Sequence, residues 1–257
     1  MDKLRGQIKK GLRALGYQVR GTRYCPRQLL EPALLRRLEF DDVVCRRMFE
    51  FGPAFTFIQV GAFDGITGDP LRKYINKCGW RGVLVEPQAR AANKLRELYS
   101  HNDGIVILQA AVDRKFGRRT LFTVESETAP VWAGGMASFK RETIAKHSDL
   151  IQGLQGMIRT ETIDCITFDE VLEHLPSKRV DLLQIDTEGA DAYILSLFPF
   201  DRVIPAIIHW EVKHLPKLQQ EETLEMLHQR GYRLARSGAE DMLAVLDGLQ
   251  RANFVNA

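Results

Sequence analysis

The sequence predicts an α/β fold: a doubly wound, mainly parallel seven-stranded sheet ending in an antiparallel strand pair, with an N-terminal helical extension. Three observations predict it. From Phe55 onward, short β-branched runs alternate with longer helical stretches, the pattern of right-handed βαβ units. Those runs are almost continuously apolar, as strands covered by helices on both faces must be. The last two runs, in "GYRLARSG" and "DMLAVLDG", are separated by too few residues for a parallel crossover, so they must pair antiparallel.

Leu4, Ile8, Leu12 and Leu15 make one apolar stripe, which predicts a helix over 3–15 whose other faces are basic. In the plainer reading this helix docks on the domain; in the sharper one it touches anionic lipid or a lipid-linked substrate. "GYQVRGTRYCPRQ" reads as loop, and "EPALLRRLEFDDVVCRRMFEF" as a second helical region with Pro32 in its first turn. Residues 1–50 are thus the extension, a source of acceptor-pocket or dimer contacts, and 51–257 the main domain.

Strands are predicted at 55–61, 82–87, 104–112, 118–124, 180–186 and 204–212, before the closing pair. Helices fall near 69–78, in "QARAANKLRELYSHN" and "GADAYILSLF", and near 216–230. Between the third and fourth main strands lies a long stretch, 113–180. Its "VESETAPVWAGGMASF" is small, polar and glycine-bearing around Trp132 and Phe139, and reads as a lid with an aromatic surface suited to a sugar ring.

The bulk numbers bound the function. A net charge of +3 over 257 residues is too small to argue for nucleic acid, although basic residues crowd the first 30 positions, where Asp2 is the only acid. Cys25, Cys45, Cys78 and Cys165 are scattered without zinc-like spacing and read as reduced thiols. No apolar run approaches membrane-helix length, and no secretory h-region opens the chain, so a cytoplasmic protein is expected.

In an open α/β sheet the ligand lies beyond the carboxyl ends of the strands. The first strand ends in Gly61-Ala62-Phe63-Asp64-Gly65 and the second in Glu86, which follows Gly65 by 21 residues. An acid at that distance from a glycine turn can take both ribose hydroxyls of a nucleoside. The turn lacks the middle glycine that lets backbone approach a pyrophosphate, and carries Asp64 instead. A carboxylate there repels a dinucleotide and suits a ligand bearing an ammonium and a sulfonium, which favours S-adenosylmethionine over NAD.

"FIQVGAFDG", "GVLVEPQ", "ILQAAV", "ETIDCITFDEVL" and above all "VDLLQIDTEGADAYIL" resemble the FkbM-type methyltransferases, a branch of the class I, Rossmann-like S-adenosylmethionine-dependent enzymes. The resemblance runs over about residues 55–215 and includes the small-residue loop "GGMASF". Gln59 departs from the acid the family usually carries two places before the first glycine. The resemblance implies that Gly61, Ala62 and Gly65 form the turn under the methionine part, with Gln59 and Asp64 near its polar groups. It implies Glu86 on the ribose, Pro87 and Gln88 flanking the adenine, Ala110 and Ala111 packed near its plane, and Asp186 where cofactor and acceptor meet.

Methyl transfer is an in-line displacement in which the protein aligns an acceptor with the methyl carbon and excludes water. A sugar or alkyl hydroxyl needs a general base, for which His209, His214, Glu211, Glu188 and Asp186 are candidates, with His214 and Glu211 favoured. No metal ligand set is assigned; Asp186, Glu188 and Asp191 or His209 would be the ligands of a magnesium-assisted variant. The reading is O-methylation of a sugar, glycan or natural product. N-methylation of a peptide side chain, or a methyltransferase-like binding module without catalysis, stand as alternatives.

Overall fold

The computed structural model describes residues 37–246 apart from Pro53, Glu127 and Lys178. The helix expected over 3–15 and the position of Pro32 lie outside the described residues. Seven strands form the main sheet: β1 (Thr56–Val60), β2 (Arg81–Val85), β3 (Ile105–Leu108), β8 (Leu182–Ile185), β9 (Ile207–Glu211), β10 (Tyr232–Ser237) and β11 (Asp241–Leu246). Their order is β10-β11-β9-β8-β1-β2-β3. β3, β2, β1, β8 and β9 are mutually parallel, whereas β11 runs antiparallel to both β9 and β10. The predicted antiparallel pair is present, with the last strand inserted between β9 and β10.

The chain order switches direction between β1 and β8, which leaves a crevice at their carboxyl ends. One face of the sheet buries Ile58, Val83, Leu183, Ile208 and Trp210. Against it pack α6 (Phe168–Glu173), α7 (Asp191–Ser196) and α8 (Lys217–Gln229), through Phe168, Ile194 and Leu224. The opposite face buries Phe57, Leu84, Leu182 and Ile207 beneath α1 (Phe40–Phe51), α2 (Arg72–Cys78) and α3 (Ala89–Leu98). Phe40 and Val44 of α1 belong to this second core, and Leu38 N donates to Arg236 O, so α1 is seated on the sheet. Phe55 and Tyr74 stack on the fully buried Trp80 at 4.4 and 4.6 Å between ring centroids.

The structure corrects the reading of 104–112 as one strand. The chain leaves the main sheet after Leu108, and β4 (Ala111–Val112) joins a second sheet instead. That sheet, ordered β4-β7-β5-β6, also contains β5 (Gly117–Val124), β6 (Ala137–Ser138) and β7 (Ile158–Ile166). The first part of stretch 113–180, as far as Ile166, is therefore a small folded layer with short helices α4 (Arg141–Ala145) and α5 (Leu154–Met157), whereas α6 beyond it packs on the main sheet. The layer's own core joins Val124, Ala133, Met136, Ile144, Ile151 and Leu154. β7 escapes a search for apolar runs because most of its side chains face water and only Ile163 and Cys165 are buried.

Candidate active site

Four strand ends converge on one recess. β1 delivers the Gly61–Gly65 turn, β2 delivers Glu86, the segment after β8 delivers Asp186 to Gly189, and β9 delivers Glu211 with His214 just beyond. Gly61 sits at φ +83, and a Cβ there would lie 1.7 Å from the carbonyl oxygen of Asp186. Only a glycine permits this approach of the β1 and β8 ends. Phe63 holds φ +45, a region non-glycine residues rarely enter, inside the same turn.

Glu86 is buried, and its two carboxylate oxygens accept the amides of Phe63 and Gln88, each at 2.8 Å. Burial pushes its carboxyl up to about 7, although those two amides pull the other way; Glu161 and Asp64 add to the rise. Each oxygen keeps a second lone-pair direction, so the bridge leaves capacity for ribose hydroxyls. Ala110 and Ala111 are buried at the point where the chain passes between the two sheets. Pro87 lies between Glu86 and Gln88, and Gln88 is itself buried.

Asp64 turns back into its own loop. Its Oδ1 accepts the amides of Ile66 and Thr67 at 3.0 and 2.8 Å, its Oδ2 accepts the Thr67 hydroxyl, and Lys94 lies 3.7 Å away. Burial alone would raise this carboxyl, but those partners outweigh it and hold it below its ordinary value. In this position Asp64 fixes the loop that carries Gly65 and does not present a bare carboxylate to a ligand. Gln59 is buried on β1 and donates to Asp69 Oδ1 at 3.3 Å, while its Oε1 has no hydrogen-bond partner. Asp69, raised by burial, thus supplies a carboxylate beside the amide that replaces the expected strand acid.

Asp186 stands just past the end of β8, with part of the residue open to water while its carboxyl is crowded by neighbouring groups. Desolvation by the surrounding walls, joined by Asp191, Glu188 and Asp241, pushes it up to about 8. Glu211 is pushed up to about 9, by burial first and then by the facing carboxylates of Asp186, Glu188 and Asp191. His214 Nε2 lies 3.3 Å from Glu188 Oε2 and 3.9 Å from Glu211 Oε2. Asp191 is fully buried and accepts the amides of Thr187 and Gly189, which fixes the turn that projects Glu188.

His209, grouped with the bases on sequence grounds, is placed elsewhere. It is 5% exposed, in register with Gln59 and Gln184, one strand row below Glu211. Its Nδ1 lies 2.7 Å from Gln184 Oε1, and its ring packs on Phe40. Burial lowers it to about 4, so it is a neutral structural imidazole with no access to an acceptor.

The inserted layer folds over the recess. Gly134 and Gly135 lie against the Phe63 ring, at 3.5 Å from their would-be Cβ positions. Trp132, His147 and His214 form an edge-to-face row with centroid spacings of 6.5 and 5.5 Å. Burial and the neighbouring His214 and Lys213 keep His147 below its ordinary value, despite Glu188. Sequence reasoning missed His147, Phe63 and Asp69. Nothing in "AKHSD" marks a site residue; only the docking of the inserted layer brings that histidine to His214.

The strand order, the glycine crossing at Gly61 and the acid at the end of β2 define a class I, Rossmann-like α/β protein with a crevice at its switch point. The family model described as "Methyltransferase FkbM domain" matches residues 59–234, and the chain belongs to that family. No curated protein matches it in sequence. Among solved structures it is similar to methyltransferase FkbM from Methylobacillus flagellatus KT, at 12% identity and a TM-score of 0.49 over 84% of this chain and 50% of that one. The chain thus spans half the length of that structure. It is also similar to the N-terminal domain of human METTL16 in complex with SAH, at 9% identity and a TM-score of 0.41 over 92% and 78% of the two chains. A SAM dependent methyltransferase from Aquifex aeolicus is 13% identical, with a TM-score of 0.35 over 86% and 97%. Among the described residues no helix is long and apolar enough to cross a membrane.

Proposed function

We propose that the chain transfers a methyl group from S-adenosylmethionine to a hydroxyl of a sugar, glycan or natural product. The observation that carries this reading is the 2.8 Å bridge from the Phe63 amide to Glu86, which sets a ribose-type acid against a glycine turn lacking a pyrophosphate glycine. Membership of the FkbM family supports the same class of chemistry.

In this reading Glu86 receives the ribose hydroxyls, the Gly61–Gly65 turn underlies the methionine part, and the carboxylates at the β8 end face its positive charge. The carboxyl groups of Asp186 and Glu211 crowd there, and a bound sulfonium would favour their ionised forms. Trp132, 45% exposed, and His147 offer the flat wall on which a sugar ring would rest. The acceptor proton would leave to a base in the Glu188–Glu211–His214 group as the oxygen attacks the methyl carbon. The excess of carboxylates also favours a protonated amine, which keeps N-methylation of a peptide side chain as a second reading.

Calorimetric titration of the full chain with S-adenosylhomocysteine and, separately, NAD tests the cofactor. Binding of the first and not of NAD is expected; a folded chain that binds neither, or NAD alone, would overturn the reading.

A further inference from the structure

We propose that Glu188, Glu211 and His214 bind a divalent cation of the manganese or zinc class, adjacent to the position of methyl transfer. One donor atom from each residue lies within 4.8 Å of the other two. His214 Nε2 stands 3.3 Å from Glu188 Oε2 and 3.9 Å from Glu211 Oε2. Ligand atoms held at about 2.1 Å from one ion, at angles between about 90° and 110°, are separated by about 3.0–3.4 Å. The Glu188–His214 pair already stands at that separation, the Glu211–His214 pair at 3.9 Å has about 0.5 Å to close, and the third separation lies within 4.8 Å.

Two further features point to a ligand there. Glu211 Oε2 is sealed from solvent and has no hydrogen-bond partner, so a carboxyl oxygen faces the group unmatched. Lys213, the nearest cation along the chain, is turned to Glu240 at 3.0 Å. The backbone is also shaped to bring the donors together. Glu188 holds φ +53 and Gly189 φ +99, and a Cβ on Gly189 would lie 3.1 Å from the Cβ of His214. The turn after β8 and the turn after β9 can meet this closely because position 189 is glycine.

The donor set decides the class of ion. Two carboxylates and an imidazole suit manganese, iron or zinc, whereas magnesium and calcium favour oxygen ligands alone. The role of the ion rests on the methyltransfer reading. An acceptor hydroxyl bound to it would be more acidic. With Glu188, Glu211 and His214 engaged as ligands in place of the base, its proton would pass to solvent water, its oxygen lone pair would form the bond to the methyl carbon, and the carbon–sulfur pair would stay on sulfur.

The test needs neither cofactor nor acceptor, so its failure is distinct from failure of the cofactor reading. The chelator-treated 257-residue chain is titrated with manganese, followed by electron paramagnetic resonance, and with zinc, followed by calorimetry. One equivalent is expected to bind in the wild type, with a loss of about tenfold or more in Glu188→Gln and in His214→Ala. Glu173→Gln, on an exposed face of α6, is expected to bind as wild type. Circular dichroism identifies any variant that fails to fold, and Glu188→Gln, in a partly exposed turn, is the variant least exposed to that failure. No binding by the wild type, or equal binding by Glu188→Gln and His214→Ala, would overturn the proposal.

Discussion

The amide of Phe63 donates to Oε2 of Glu86 across 2.8 Å and ties the glycine turn of β1 to the end of β2. The same carboxylate receives the Gln88 amide, so Glu86 shapes the crevice at the carboxyl end of β2, where the proposed reading puts the ribose. Glu86→Ala is therefore expected to weaken S-adenosylhomocysteine binding about ten- to a hundredfold, the worth of one or two charge-assisted hydrogen bonds. Calorimetry measures this, and unchanged affinity would remove Glu86 from the ribose role.

Glu86 also predicts a pH dependence of stability. Its folded-state value, about 7, is raised above the ordinary 4.5 by burial. Between those two values the folded chain holds a proton that the unfolded chain has released, so stability falls as pH rises through that window. Denaturant unfolding at pH 4.5 and at pH 8 should show Glu86→Gln losing less stability than wild type, by about 1–3 kcal/mol. Equal losses in the two proteins would show that this carboxyl does not carry the dependence.

Gly61→Ala is expected to break the crossing of β1 and β8. The added carbon would meet the Asp186 carbonyl at 1.7 Å, and the φ of +83 is itself unfavourable for alanine. A loss of about 3 kcal/mol or more is expected in thermal unfolding, from strain at two strand ends. A near-wild-type melting curve would contradict the geometry of the turn.

Phe63 connects the turn to the inserted layer through Gly134 and Gly135. Phe63→Ala should loosen that layer while leaving the main sheet folded, because the ring packs on the insertion from a turn. Limited proteolysis is expected to cut faster within 125–140, with little change in the global melting temperature. Equal cleavage rates would show that the layer is held by its own core alone.

The fold was legible because apolar periodicity is strong in β1, β2, β8 and β9, whose side chains are buried on both faces. It was weak in β7, where water covers most side chains, and the second sheet went unseen for that reason. The break after Leu108 left no mark, since "ILQAAV" stays apolar through the point where the chain changes sheets. At the site, strand-end logic reached Glu86, Asp186, Glu188, Glu211 and His214. The same logic grouped His209 with them, because alternation places it on the face of Glu211 but says nothing of depth.

The sequence by itself determined the doubly wound sheet, the glycine turn, the acid at the end of β2 and membership of the FkbM family. Those depend on local pattern and spacing, which the chain carries wherever it folds. Only the tertiary structure decided that Asp64 braces its own loop, that His209 is buried and neutral, and that Glu188, Glu211 and His214 share one recess beneath Trp132 and His147. Those facts depend on how far one strand end stands from another and on what covers it, and sequence spacing does not encode either distance.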